Sequence, residues 1–340
     1  RSTVMIRIAL DTMGGDHGPQ AMVAGAKLAV ERGLVAAEQL LLVGAYDAIR
    51  AEVEAQGWSG AHVEIVDAPD TLDGSESPVE ALKRKPHNSV AVGIGQVKAG
   101  RAHGFVSAGN TGLVVASAMF GLSCLEGIRR PGIAVTIRGE KGPFTVMDVG
   151  ANPQPKPQHL LHYGLMGAAY MRDTFGIERP RVGLMNIGSE DKKGNPLVRE
   201  AREMLQSVAG DFEFVGNVEG VDVFAGKCDV IVSDGFTGNV LLKVSEGCAE
   251  YLLRSMARAM AKAGVAGDLQ QQVLGSLLRD VDFSEYGGAL LLGVEGIVTI
   301  CHGRSNAAAI ANAIGVASRA VGAKVNEHIV HAARQATAAS

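Results

Sequence analysis

Short apolar runs alternate along this chain with longer segments of helical periodicity. The first run, Val4 to Leu10, reads as a buried strand. It ends in the glycine-rich turn Asp11-Thr12-Met13-Gly14-Gly15-Asp16, and Pro19 opens a helix through about Glu31. Leu40–Val43 and Val63–Val66 are further strands, with a helix to about Gln56 between them. The polar stretch from Asp70 to Asn88 reads as a loop with a short helix. A helix over about 89–100 feeds strand Gly104–Ser107, and the turn 108–112 leads into a helix of small apolar residues. Strands follow at Ile133–Ile137 and Phe144–Met147, then a helix over about 158–175. Next come strand Arg181–Asn186, helix Pro196–Val208, and strands at Phe212–Val215 and Asp229–Ser233. A helix over about 239–262, a break at 263–268 and a second helix to about Arg279 predict a helical hairpin. Two short strands, Ala289–Leu292 and Ile297–Ile300, precede a final helix from Ala307 to about Ala333.

This alternation predicts a single α/β domain over 5–335. The expected architecture is a three-layer α/β/α, Rossmann-like, mostly parallel sheet with a projecting hairpin at about 239–279. Right-handed crossovers are expected to set the strand-to-helix turns along one edge, where ligands of such sheets bind. Residues 1–4 read as an added remnant ahead of a start at Met5, with no signal peptide.

Composition narrows the function. Aromatic residues make up 4% and the net charge is −4, so neither base stacking nor a global positive field favours nucleic acid. The four cysteines, Cys124, Cys228, Cys248 and Cys301, form no CxxC and read as buried thiols of a reducing compartment. The longest apolar stretch, Tyr286 to Cys301, is too short and interrupted to span a bilayer. His159 and His162 stand three apart on a helix without a carboxylate at metal spacing, so no metal is expected. His302, directly after a strand, is a better candidate for a cleft. Walker A, G-x-G-x-x-G after the first strand and G-x-S-x-G are all absent, and no cofactor is expected.

Candidate chemistry sits in five turns at strand ends. They carry Asp11, Gly14, Gly15 and Asp16; Ser107, Gly109, Asn110, Thr111 and Gly112; Asp148 and Asn152; Asn186 and Gly188; and Asp234, Thr237 and Asn239. Glycine lets the backbone approach a ligand, and the helix that follows offers free N–H groups to an anion such as phosphate. Each turn alone is ordinary turn or cap chemistry; five on one sheet point to an anion-binding cleft. Lys192 and Lys193 follow Gly188 closely enough for a lysine to reach a phosphate or an oxyanion. Tyr251, Leu252, Met256 and Met260 form an apolar stripe on the hairpin, suited to a core, a dimer or a membrane surface.

In this order the motifs resemble the bacterial phosphate acyltransferases of the PlsX type. The matching segments are Ala9–Asp16, Val106–Gly112, Gly127–Pro131, Asp148–Asn152, Asn186–Gly188 with Lys193–Asn195, Gly216–Gly220, Asp234–Asn239 with Lys243, and Tyr286–Gly293 through His302-Gly303. They span about residues 5–330. The sequence departs from the family pattern at Asn88-Ser89-Val90, where Ser-Ser-Met is frequent, and at Ser233, where Cys is frequent.

The resemblance implies transfer of a fatty acyl group from acyl carrier protein to inorganic phosphate, giving acyl phosphate for phospholipid synthesis. It also implies a cytoplasmic homodimer at the inner face of the membrane, supplying a downstream glycerol-3-phosphate acyltransferase. On that reading Lys193, Asp234 and Asp148 are the catalytic candidates, and the other turn residues and Lys243 bind substrate. The acidic carrier protein would dock on Lys83, Arg84, Lys85, Arg129 and Arg130, with Arg254 and Arg258 as further candidates. A phosphotransacetylase-like enzyme using acyl-coenzyme A, and a non-catalytic membrane scaffold, are the alternatives.

Overall fold

A computed structural model describes residues 5–58, 62–72, 77–208, 210–265, 267–281 and 286–338, so the remnant proposed at 1–4 lies outside it. In chain order the first half holds β1 (Ile8–Asp11), α1 (Gly18–Glu31), β2 (Leu40–Gly44), α2 (Tyr46–Ala55), β3 (Glu64–Asp67), α3 (Pro78–Arg84), α4 (Ser89–Lys98), β4 (Gly104–Ser107), α5 (Thr111–Gly121), β5 (Gly132–Gly139) and β6 (Gly142–Met147). The second half holds α6 (Pro157–Phe175), β7 (Arg181–Met185), α7 (Pro196–Ser207), β8 (Glu213–Val218), β9 (Val230–Val232), α8 (Gly235–Lys262), α9 (Asp268–Val281), β10 (Ala289–Leu292), β11 (Ile297–Ile300), α10 (Ala307–Gly322) and α11 (Val325–Ala338).

The strands form one 11-stranded sheet in the order β3-β2-β1-β4-β11-β10-β5-β6-β9-β7-β8. Both faces are covered. Ile8, Leu10, Leu40 and Leu42 point to the face packed by α1 and α10, whereas Ala9, Leu41 and Phe105 face α4 and α5. This is the expected three-layer, mostly parallel architecture.

The edge geometry differs from expectation. The pairs β10–β11, β10–β5 and β5–β6 are antiparallel. The β1-side strands therefore run opposite to β6, β9, β7 and β8, and the turns that follow the two sets leave by opposite edges. Most strands near the centre are so short that this matters little. A four-residue strand such as β4 or β10 is only about 13 Å long. Turns from opposite edges can therefore meet over one face, across β11, β10 and β5.

Two helix boundaries also differ. The long helix starts at Gly235, not Asn239, because Asp234 caps it: its carboxylate accepts the Thr237 N–H at 2.9 Å. The last helix breaks where Lys324 takes φ 58°, giving α10 and α11. Along its 28 residues α8 buries only Gly235 and Gly238, while Tyr251, Leu252 and Met256 are exposed. It packs on α9 as the expected hairpin. Among the described residues no helix is long and apolar enough to cross a membrane.

Candidate active site

The β1 and β4 turns lock together through a buried carboxylate. Asp11 is fully buried, and its Oδ1 accepts the N–H groups of Met13 and Gly14 at 3.0 and 3.1 Å. Its Oδ2 accepts the Ser107 hydroxyl at 2.6 Å, and Ser107 Oγ in turn accepts the Gly109 N–H at 3.0 Å. Burial pushes the Asp11 carboxyl up from its ordinary value, while hydrogen bonds from Ser107, Ser89, Met13 and Gly14 pull it back. Gly14 is required by space. A Cβ there would lie 2.6 Å from Asp11 Oδ2 and 2.7 Å from Gly109 N. On the other flank the Asp16 N–H donates to Gly303 O at 2.8 Å, which ties this turn to the one after β11.

A second carboxylate organises the β6 turn in the same way. Asp148 is fully buried and accepts the N–H groups of Ile133, Gly150, Ala151 and Asn152 at 2.7–3.0 Å. The start of α8 packs directly on this turn, and a Cβ at Gly238 would lie 2.0 Å from Asp148 O. Asn152 donates to Pro131 O and to the Tyr163 hydroxyl at 2.7 and 2.8 Å. Asp148, Asn152, Asp234 and Thr237 thus hold backbone in place. Both Asp234 oxygens are engaged by Thr237, through its N–H and its hydroxyl.

Two cavities open between these turns and share Thr111, Lys243, Cys301 and His302. The larger, about 650 Å³, is polar at its base. It is lined by Asp11, Gly14, Gly15, Asp16, Gly109, Asn110 and Thr111, with Ser89 and the Pro78 and Ala81 side of α3. The smaller, about 270 Å³, is lined mainly by apolar groups: Ile133, Val135, Val149, Leu242, Ala289, Ile300 and Ala309, with Asn239 and Glu246 at the α8 side. Gly112 faces a third hollow beside Met119 and Phe120.

At the junction stand two hydrogen-bond donors. Lys243 Nζ pairs with Glu246 Oε2 at 2.8 Å, one helical turn on. His302 Nδ1 accepts the Arg304 N–H at 3.2 Å, which leaves the proton of the neutral ring on Nε2. The first turn of α5 adds backbone N–H groups and the positive end of the helix dipole. Asn110 Oδ1 is occupied there, accepting the Leu113 N–H at 3.1 Å.

The β7 turn is placed elsewhere. Asn186 accepts from the Ile187 N–H and donates to Lys193 O, and the Lys193 side chain lies over Gly188. Asn186, Gly188 and Lys193 line neither of the joined cavities. This turn follows β7, beside β9, at the same strand end as the Asp148 and Asp234 turns.

The basic residues separate into two groups. Lys83 and Arg84 end α3, whose start lines the polar cavity. Arg129 and Arg130 precede β5 beside His159 and His162 on α6. Among the described residues no group of metal-ligating side chains comes together. Of the cysteines, Cys228 and Cys301 are buried, and burial pushes each thiol up to about 12. Cys124 and Cys248 are exposed, contrary to the expectation of four buried thiols. Ser233 is buried and donates to Asp234 O at 3.0 Å.

Sequence reasoning missed Ser89, Leu242 and Glu246. Glu246 had a signal, its i,i+3 spacing from Lys243; Leu242 had none separable from a core position.

The family model described as "Fatty acid synthesis protein" matches residues 6–328. A phosphate acyltransferase of Nitratidesulfovibrio vulgaris is 45% identical over 96% of this chain and 94% of its own length. The chain belongs to this family. A second relative, the phosphate acyltransferase of Pelotomaculum thermopropionicum, is 42% identical over 95% of this chain and 94% of its own. A phosphotransacetylase from Streptococcus pyogenes shares the fold, with TM-score 0.65 at 20% identity, covering 93% of this chain and 94% of that one. As a member of the fatty acid synthesis protein family, the chain is an acyltransferase.

Proposed function

We propose that this protein transfers a fatty acyl group from the thioester of acyl carrier protein to inorganic phosphate, giving an acyl phosphate for phospholipid synthesis. The observation that carries this reading is the joining of a polar, glycine-lined cavity to an apolar one at Thr111, Lys243 and His302. Phosphate would sit against the first turn of α5, beside Gly15, where the helix N-terminus and its dipole favour an anion. The thioester carbonyl would lie at the junction. A phosphate oxygen attacks the carbonyl carbon, and the resulting oxyanion is held by Lys243 and the His302 Nε2–H. The tetrahedral intermediate collapses, the carbon–sulfur bond breaks, and the carrier thiolate leaves and takes a proton from solvent. Phosphate dianion has no proton on the attacking oxygen, so positioning and charge replace a general base.

Asp11, Asp148 and Asp234 act by holding the turns. Lys193 is a second cation, acting from the β7 turn next along that strand end. The carrier docks at the α3 rim through Lys83 and Arg84 with Lys85, while Arg129 and Arg130 form a separate basic site near α6. The exposed apolar stripe of α8, with Tyr251 and Leu252, supports a homodimer and contact with the inner membrane surface, where the downstream glycerol-3-phosphate acyltransferase would receive the product.

Comparing carrier-protein and coenzyme A thioesters as donors tests this reading. A preference for the carrier thioester that falls when Lys83 and Arg84 are reversed to Glu supports it. Equal use of coenzyme A thioesters, unchanged by the reversal, refutes the donor assignment.

A further inference from the structure

We propose that the smaller cavity is the acyl-chain subsite and that Ala289 sets how long a chain it accepts. This rests on the acyl-transfer reading of the cleft.

Its floor follows the register row Ile300, Ala289 and Val135, with Ile133 beside it, and the same row extends across to Ser107 under the polar cavity. Ser107 pairs with Ile300, Ile300 with Ala289, and Ala289 with Val135, on four adjacent strands. Directly paired residues project to the same face of a sheet. The row therefore begins at Ser107, inside the hydrogen-bonded base of the polar cavity, and continues as Ile300, Ala289 and Val135. Three strand spacings separate its ends, about 14 Å. Leu242 of α8 closes the chamber from above. Lys243 and Glu246, the charged pair at the rim, neutralise one another at 2.8 Å, so no unpaired charge among the described lining residues opposes an alkyl chain.

An extended chain leaving the carbonyl at the junction runs along this row, away from the phosphate. Ala289 is the smallest side chain on the floor, flanked by Ile300 and Val135. It makes a notch where a larger residue would stop the chain without touching the groups around phosphate. Hydrophobic pockets discriminate by about tenfold or more per methylene, so blocking the notch penalises long chains strongly.

The experiment measures kcat/KM for butyryl and palmitoyl thioesters of acyl carrier protein with the full-length protein, its Ala289→Phe variant and its Leu242→Trp variant. Thermal melting reports whether each is folded. The palmitoyl-to-butyryl ratio is expected to fall at least tenfold in Ala289→Phe, with the KM for phosphate unmoved. Leu242→Trp, on the helix side of the chamber, is expected to shift the ratio the same way and keeps the test readable if Ala289→Phe does not fold. An unchanged ratio in the folded variants, with wild-type activity intact, overturns the chamber assignment alone. Absence of phosphate-dependent cleavage of either thioester by the wild type overturns the underlying acyl-transfer reading, and this proposal falls with it.

Discussion

Ser107 and Asp11, 96 residues apart in sequence, are joined by a 2.6 Å hydrogen bond at the base of the polar cavity. That contact sets the spacing between the two turns that line the cavity proposed to hold phosphate. Ser107→Ala removes the donor to a buried carboxylate and the acceptor of the Gly109 N–H. A loss of about 1–3 kcal/mol in stability is expected. The KM for phosphate should rise more than the KM for the thioester. Denaturant unfolding with initial-rate kinetics checks both, and an equal rise in the two KM values would place Ser107 outside the phosphate site.

Gly238 tests how closely α8 must seat on the Asp148 turn. With a Cβ only 2.0 Å from a backbone oxygen, Gly238→Ala has to push helix and turn apart. The expected cost is about 1–3 kcal/mol of stability, with loss of activity because Lys243 moves with the helix. Gly247, on the same helix with open space around it, is the comparison. Gly247→Ala should gain up to about 1 kcal/mol from helix propensity. Calorimetry of the two variants reads this contrast directly.

Lys243 and His302 carry the chemistry in this account. Replacing either by Ala should lower kcat by about 10²-fold, the usual cost of losing one oxyanion donor. Thioester KM should change little. A rise in KM with kcat preserved would make them binding groups instead. Lys193→Ala, measured alongside, shows how much the β7 turn adds from outside the joined cavities.

His162 predicts a pH dependence of stability. It is 5% exposed and accepts the Arg129 N–H at 3.4 Å. Burial first, then the charges of His159 and Arg129, hold its pKa down to about 4 from 6.5. The unfolded chain takes up this proton before the folded one does. The contribution is therefore complete above about pH 6.5 and lost as pH falls toward 4, on the order of 3 kcal/mol in all. Unfolding free energies across that range should decline as the pH falls, and His162→Gln should flatten this part of the profile.

Much of this was readable from the chain. Alternating strands and helices, and the turn residues at 11–16 and 107–112, follow from local periodicity and glycine chemistry. What could not be read is which turns meet. The antiparallel pairs around β10 and β5 reverse half the sheet, and only the shortness of strands such as β4 lets turns from opposite edges share one face. Lys193, plausible by motif, lies outside the joined cavities because β7 stands beyond β9 in the sheet, while Lys243, just over two turns into α8, lies within them. The early start of α8 was hidden for a related reason. Gly235 and Gly238 resemble a loop in sequence, yet they are small because the helix must touch the Asp148 turn.

The most direct test of the central claim is a single-turnover reaction of the protein with acyl-loaded carrier protein and radiolabelled phosphate. Acyl phosphate should form in step with release of the carrier thiol, no thiol should be released without phosphate, and no acyl group should remain on the protein. Thiol release in the absence of phosphate, or an isolable acyl-protein, would contradict direct attack by phosphate in this cleft.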